Sequence, residues 1–324
     1  MQHVSAFAHI NIALIKYWGK SNLIKNIPAT PSLSLTLDKF GTKTSLYKST
    51  TKYDKLTINN IKQTGESLKK VVKFIDIFRN LANTKQYLHI ISHNNIPTAS
   101  GLASSASSFA ALTIACNKYF NFNLNKLELS RIARFGSASA ARSIFGHFVS
   151  LKGGKNIKDK KCIGHIVKYP KSLQVSMLII TCTKHRKHIS SRLGMNHAAK
   201  TSPFFTNFLN TNHTLFKKAI KALKNGSFKK LGATMEHSTL NMHATCLTAN
   251  PGFWYFNTTT INILNKIKKL RNNGHNCYFT LDAGPHVKIL CYRKDAIKLK
   301  NKLKNIHNII SINIANPGKE AYII

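Results

Sequence analysis

The chain has only ten carboxylate side chains among its 324 residues: Asp38, Asp54, Asp76, Asp159, Asp282, Asp295, Glu66, Glu128, Glu236 and Glu320. Chemistry that needs a carboxylate must draw on these. Asp282 is placed best for it. Cys277-Tyr-Phe-Thr-Leu281 is an apolar, strand-like run that breaks at Asp282-Ala-Gly-Pro285. There a side chain is held by a rigid turn and partly shielded from water, as a general base or an orienting charge requires. The same position also suits an Asp that simply initiates a turn, and the local sequence leaves both readings open.

A second set of residues suits phosphate. Pro97-Thr-Ala-Ser-Gly-Leu-Ala-Ser-Ser-Ala-Ser-Ser108 joins a strand-like run, 87–92, to an apolar helix, 109–120. Its small side chains let backbone N–H groups approach an anion. The helix start adds unpaired donors and a partial positive charge. The hydroxyls of Ser104, Ser105, Ser107 and Ser108 are candidates to reach phosphate oxygens or Mg²⁺. A tightly packed, Ser-capped helix start would have the same composition. The loop lacks the Gly-Lys-Ser/Thr of a Walker A motif and the Gly-x-Gly-x-x-Gly of a dinucleotide site. A third set, Gly136-Ser-Ala-Ser-Ala-Ala-Arg-Ser143, is a small-residue turn with an arginine, whose planar fork matches a carboxylate or phosphate; a packed helix start with a surface arginine is the alternative. Near the N-terminus Asn11 and Lys16 interrupt an apolar run, followed by Tyr17-Trp18, Gly19 and Lys20. These form either a binding rim or part of a widely solvated lysine population.

The elements that must carry these residues follow from periodicity. Residues 4–18 begin as a strand, and 32–37, 42–47 and 55–58 read as further strands. Residues 66–81 have helical spacing, with Leu68, Val71, Val72, Ile75 and Leu81 near one face. A helix over 125–135, a strand over 146–151 and an exposed loop over 152–161 follow. The apolar strand 174–182 opens a second lobe. Next come a polar segment with Arg192 at 189–195, helices over 215–223, 228–243 and 258–272, and the hairpin 277–281 with 287–291. A helix over 295–303 and strands at 309–314 and 322–324 close the chain. Strands with segregated helices predict an α+β fold.

Composition narrows the class. The chain is 43% hydrophobic, enough for a sizeable core. It has no apolar run of about 18 residues and no signal-like N-terminus, so neither a membrane span nor secretion is expected. Six scattered cysteines without a Cys-x-x-Cys pair suit a reduced, cytoplasmic protein. Lys and Arg number 49 against ten acids, a formal charge of +39, and such a surface attracts polyanions. The lysines are spread along the chain among Asn and Ile, with no basic tail and no recognisable nucleic-acid module. Weak non-specific binding is therefore expected, and a specific nucleic-acid partner is not.

The Pro-x-x-x-Gly-Leu-x-Ser-Ser pattern of the small-residue loop resembles the phosphate loop of the GHMP small-molecule kinases. Within that superfamily, five blocks are similar to the diphosphomevalonate decarboxylases: His9-Ile-Asn-Ile-Ala-Leu-Ile-Lys-Tyr-Trp-Gly-Lys20, Pro31-Ser-Leu-Ser-Leu-Thr-Leu37, Ile96-Pro-Thr-Ala-Ser-Gly-Leu-Ala-Ser-Ser105, Met242-His-Ala-Thr-Cys246 and Thr280-Leu-Asp-Ala-Gly-Pro285. The likeness covers nearly the whole chain. Two positions depart from it. Where the family usually reads Gly-Ser-Gly-Ser-Ala-Cys-Arg-Ser, this chain has Ala138 and Ala141, which bears on substrate affinity more than on reaction type.

The resemblance implies ATP-dependent decarboxylation of mevalonate 5-diphosphate to isopentenyl diphosphate, with ADP, phosphate and CO₂. The tertiary 3-hydroxyl is phosphorylated, and the new phosphate leaves as CO₂ is lost. It implies a two-lobe fold: residues 1–178 resembling ribosomal protein S5 domain 2 and carrying the phosphate loop, and a ferredoxin-like lobe, 179–324, carrying Asp282. It implies ATP and Mg²⁺, with a phosphate cradle of Pro97, Ser100, Gly101, Leu102, Ala103, Ser104 and Ser105 and the metal at Ser104 or Ser105. Asp282 would face the 3-hydroxyl, held ionised by Lys16, and Arg142 with Asn11 would bind the carboxylate that is lost. Tyr17, Lys20, Ser137, Ser139, Arg142, Arg192 and Met195 would hold the diphosphate end. A cytoplasmic homodimer is also implied. The competing readings are a phosphomevalonate decarboxylase or a 3-hydroxyl kinase of the same superfamily and, outside enzymes, a basic RNA-binding protein. The trio Asp282, Lys16 and Arg142 argues for decarboxylation, and no stacking aromatics along a basic face argue for RNA.

Overall fold

This computed structural model describes residues 3–95, 104–183 and 188–324. In chain order it contains β1 (His3–Ile15), β2 (Lys20–Asn22), β3 (Ile27–Pro28), β4 (Ser32–Lys48), β5 (Lys55–Ile58), β6 (Ile61–Gln63), α1 (Gly65–Leu81), β7 (Leu88–Asn94), α2 (Ser104–Tyr119), α3 (Lys126–Gly136), α4 (Ala140–Ser143), β8 (Phe148–Leu151) and β9 (Gly164–Ile166). These are followed by β10 (Val175–Thr181), α5 (Ser191–Thr201), α6 (Phe205–Lys224), α7 (Phe228–Leu247), α8 (Thr258–Asn272), β11 (Cys277–Leu281), β12 (Val287–Tyr292), α9 (Ala296–Leu303), β13 (Ser311–Ala315) and β14 (Tyr322–Ile323).

The first sheet runs β14-β1-β4-β7-β5-β6, with β8 and β9 branching from β4. Its backbone is β4, which pairs with β8 through Ser32 to Leu35 and with β7 through Thr42 to Lys48. The two strands expected at 32–37 and 42–47 are therefore one. The exposed pair Asp38-Lys39 marks a register shift against β1 rather than a turn. Helices α1, α2 and α3 cover this sheet around Phe74, Ile75, Phe78, Phe109 and Ile132. The buried face of α1 centres on its phenylalanines, and Leu81, expected on that face, is 57% exposed.

The second sheet, β11-β12-β10-β13, is antiparallel throughout, the strand order of a split β-α-β unit. β10 opens this sheet, while β14 returns to the first one beside β1. The two layers are joined by a common core in which Ile12 and Leu35 meet Met177, Leu215 and Phe228. Joining the sheets in this way brings the ends of β1 and β11 to one cleft.

Several elements differ from the periodicity reading, for tertiary reasons. Helix α2 starts at Ser104 rather than 109. Ser107 is fully buried and shares a 2.7 Å hydrogen bond with Thr42 of β4, and Ser108 lies 3.3 Å from the same hydroxyl. These two hydroxyls join helix to sheet instead of facing a ligand. Helix α6 begins ten residues before the expected 215, through a Thr- and Asn-rich stretch of poor helix propensity. Buried Asn212 holds it there, donating to the Lys16 carbonyl (2.7 Å) and Thr30 Oγ1 (2.9 Å) and accepting from Ser238 Oγ (3.0 Å). The polar segment at 189–195 is the start of α5, capped by Ser190, whose Oγ accepts from Leu193 N–H. The loop over 152–161 is largely exposed, as expected, and is anchored where Asp159 pairs with Arg131 and with fully buried Arg134. All six cysteines are buried thiols.

Candidate active site

A cleft of about 230 Å³ lies where β1, β11, α4 and α5 converge. Its lining brings together Asn11, Lys16, Tyr17, Lys20, Ser105, Ser137, Ser139, Arg142, Arg192, Met195 and Asp282, residues spread from one end of the chain to the other. Of the expected phosphate cradle, Pro97, Ser100, Gly101, Leu102 and Ala103 lie outside the described residues. Ser104 is described only as the first residue of α2.

Asp282 follows the last residue of β11, and the N–H of Gly284 donates to its carbonyl at 2.8 Å, closing a tight turn. Its carboxylate is clamped from two sides. Lys16 Nζ donates to Oδ1 at 2.6 Å, and Lys288 Nζ lies 3.0 Å from Oδ2. Lys16 also donates to the Ala13 carbonyl at 2.9 Å, which fixes its direction. Both lysines are buried, while the Asp282 side chain keeps 24% of its surface open to the cleft. Burial alone would raise the carboxyl pKa, but the two ammonium groups outweigh it and hold Asp282 well below the usual carboxylate range. Burial lowers the Lys16 ammonium to about 8 against the opposing pull of Asp282. Buried His243 on α7 is driven down to about 3, by burial first and the Lys16 charge second, and is therefore neutral. Lys288 is missing from the sequence reading. Its signal is a lone lysine in the apolar strand Val287-Lys-Ile-Leu-Cys291, six residues past Asp282.

Arg142 is 2% exposed. Its Nε donates to Ser34 Oγ (2.9 Å), Nη1 to Ser32 Oγ (2.5 Å) and Nη2 to Asn11 Oδ1 (3.3 Å). Every one of these partners is neutral, and Tyr17 adds a ring 5.8 Å from the guanidinium carbon. Burial lowers its pKa to about 10, so it stays a cation at neutral pH. Among the described residues no carboxylate pairs with it directly, Asp282 acts on it only through its field, and the guanidinium lines the cleft. Asn11 Nδ2 pins the adjoining turn by donating to the Ser139 carbonyl (3.0 Å) and Ser143 Oγ (2.7 Å). Ala138 and Ala141 are buried in that turn, and neither has a positive φ, so alanine fits there without backbone strain.

The other end of the cleft is cationic. Lys20, Lys70 and Arg192 line it, and none of them takes part in the ion pairs of the described residues. Burial first, then Arg192 and Lys70, lowers Lys20 to about 8. Partial desolvation at the cleft and the Arg192 charge lower Lys70 as well, although its side chain stays exposed. Lys20 is aimed by Gly19, whose φ of +89° and 2.6 Å approach to Phe205 at a would-be Cβ exclude a side chain. Lys70 was not legible as a site residue, being one of several lysines on α1. Ser105, Ser137 and Ser139 form a row of hydroxyls, with spacings of 3.4 and 3.0 Å. Among the described residues no group of three or more His, Cys, Asp or Glu forms a metal cage, and Asp282 is occupied by two lysines. Ser105, on the wall of the cleft, presents the hydroxyl that a metal carried on a ligand's phosphates would meet.

Two sheeted lobes with a cleft between them make up the two-domain fold of the GHMP small-molecule kinases. The chain belongs to the diphosphomevalonate decarboxylase family. Residues 8–164 match the diphosphomevalonate decarboxylase-like N-terminal domain, and residues 177–319 match the mevalonate 5-diphosphate decarboxylase C-terminal domain. The diphosphomevalonate decarboxylase of Candida albicans is 32% identical over 307 residues, spanning 89% of this chain and 84% of its own length. The mevalonate diphosphate decarboxylase of Staphylococcus aureus superposes with a TM-score of 0.94 at 36% identity, over 100% of this chain and 98% of that one. The protein designated MDDEF, solved in complex with MVAPP, AMPPCP and magnesium, superposes with a TM-score of 0.93 at 37% identity, over 99% and 98% of the two chains.

Proposed function

We propose that this cleft carries out the ATP-dependent decarboxylation of mevalonate 5-diphosphate to isopentenyl diphosphate, releasing ADP, phosphate and CO₂. The observation that carries this reading is Arg142, a buried guanidinium with only neutral partners that opens on the same cleft as Asp282. Its fork takes the carboxylate that is lost, with Asn11 steadying it. Lys20, Lys70 and Arg192, with Tyr17, Ser137, Ser139 and Met195, hold the diphosphate end. The N-terminus of α2, the preceding loop and Ser104 or Ser105 receive the ATP phosphates and their Mg²⁺, in keeping with the ligands of MDDEF.

Asp282 faces the 3-hydroxyl. Its depressed pKa makes it a weak resting base, so it orients the hydroxyl and takes the proton late, as the oxygen bonds to the γ-phosphorus and ADP leaves. In the second step Asp282 hands the proton to the new phosphate group and is a carboxylate again, and the C3–O bond breaks with both electrons going to phosphate. The carboxylate lying beside C3 stabilises the developing positive charge. The C–CO₂ bond then supplies the electrons of the new C=C bond, and CO₂ departs from Arg142. We place the lobe boundary just before β10, since the expected position 178 falls inside that strand, with β14 returning to the first lobe. The family resemblance further supports a cytoplasmic homodimer, which light scattering on purified protein tests. For the reaction itself, pure protein is incubated with ATP and either mevalonate mono- or diphosphate, and ADP and CO₂ are measured together. Equal amounts of both products from the diphosphate are expected. ADP without CO₂ would make the protein a kinase, and preference for the monophosphate would reassign its substrate.

A further inference from the structure

The cationic end of the cleft does not close behind the diphosphate pocket. Lys20, Lys70, Arg192 and Gly136 line both the catalytic cleft and a second, larger groove of about 850 Å³. That groove runs along α1 from Lys70 to Leu81, about 16 Å at 1.5 Å per residue, with α3 and the β2–β3 hairpin as its other walls. Its lining is mostly hydrocarbon, from Leu23, Ile24, Phe74, Ile77, Leu81 and Phe135, and also carries Lys73 and Arg131, the latter paired with Asp159. Three of these are well exposed, Leu23 at 68%, Ile24 at 91% and Leu81 at 57%. Leu81 is the residue that periodicity assigns to the core face of α1, and it is turned into this groove instead. The reaction proposed above does not use these side chains.

A groove with unpaired cations at one end and an apolar channel leading from them fits an amphiphile with a polyanionic head and a hydrocarbon tail. The head is fixed by continuity with the catalytic cleft, because the same three cations serve both spaces. We infer that the groove binds prenyl diphosphates longer than the five-carbon product. Their diphosphate takes the place of the substrate's diphosphate on Lys20, Lys70 and Arg192, and their chain lies between α1, α3 and the hairpin. Such a ligand shares the head group of the product and adds only apolar surface, so each further isoprene unit has groove wall to cover. It competes with mevalonate diphosphate for the cations while leaving the Asp282 end open. This inference rests on the diphosphate role given to those cations in the proposed reaction.

The test is calorimetric titration of the full chain without ATP, using inorganic diphosphate, geranyl diphosphate, farnesyl diphosphate, farnesol and dodecyl phosphate below their micellar range. The affinity is expected to rise about tenfold per added isoprene unit, well short of full burial because the groove is open. Farnesol should bind far more weakly than farnesyl diphosphate. The double variant I24E/L81E, altered at two exposed positions outside the catalytic machinery, should lose the chain-length dependence. It should keep wild-type binding of inorganic diphosphate and wild-type kcat and KM. Farnesyl diphosphate binding no tighter than inorganic diphosphate, or unchanged in the double variant, would overturn the assignment. Dodecyl phosphate or farnesol binding as tightly as farnesyl diphosphate would overturn it too, marking a general amphiphile site. Since binding is read without turnover, a chain inactive as a decarboxylase would refute the functional reading and leave this measurement standing.

Discussion

Lys288→Met removes one of the two clamps on the Asp282 carboxylate, together with a 3.3 Å hydrogen bond to the His286 carbonyl. Methionine has a similar length and no charge, and position 288 is 1% exposed on a strand paired on both sides, so the fold should hold. The lost contact is a charge-assisted hydrogen bond of 3.0 Å, a class worth about 1.5–3 kcal/mol. Lys16 still pairs with the other oxygen, so the carboxylate stays charged but becomes free to rotate about that single bond. If the whole contact is needed in the transition state, kcat falls about 10- to 150-fold. The affinity for ATP should not change, because Lys288 lies outside the cationic end. The pH profile gives an independent check. Lys288 depresses the pKa of both Asp282 and Lys16. Its removal therefore moves the acidic limb upward and moves the alkaline limb upward from about 8. Lys288→Arg keeps the charge and should recover part of the rate. Steady-state ADP and CO₂ release across pH measures all of this. A folded Lys288→Met protein with wild-type kcat and unmoved limbs would refute the clamp argument.

Asp282→Asn keeps shape but removes the charge between two buried ammonium groups, and turnover should fall by about 4 kcal/mol of barrier or more with ATP affinity unchanged. ADP and CO₂ should fall together; stoichiometric ADP without CO₂ would confine Asp282 to the second step. Arg142→Lys cannot reproduce the fork to Ser32, Ser34 and Asn11 and should lose most turnover; wild-type kinetics would remove Arg142 from the site. Asn212→Ala strips three buried polar partners and should cost about 2–4 kcal/mol of stability, read as a lower denaturation midpoint. Raising the pH through about 8 should deprotonate Lys16 and reduce kcat. Because its folded pKa lies below the ordinary lysine value of 10.5, the unfolded chain binds this proton more tightly between about 8 and 10.5. Its contribution to stability thus rises with pH in that window, so activity should fade while the melting temperature shows no matching loss from this group.

By itself the sequence determined the chemistry that was available. With ten acids in the chain, a lone Asp breaking an apolar strand into Ala-Gly-Pro was already the candidate carboxylate, and the motif blocks named Lys16, Asn11 and Arg142 as its companions. Periodicity also located most strands and helices, because alternation and helical spacing record burial along one element at a time. Only the tertiary structure decided what meets across elements. It set Lys288 of β12 against Asp282, and it brought Lys70 of α1 to Lys20 and Arg192. It left Arg142 with neutral partners from β1 and β4. The same cause explains the missed boundaries. Asn212 is a poor helix former that becomes helical because the Lys16 carbonyl and Thr30 satisfy its side chain, and Leu81 leaves the core face because the phenylalanines of α1 fill it first. A lysine in the sequence carries a charge, but whether that charge is solvated, paired or waiting for an anion depends on which surfaces fold against it. In a chain of +39 with lysines spread throughout, a lysine interrupting an apolar strand, as Lys16 and Lys288 do, is the local sign of burial, and Lys70 on α1 carries no such sign.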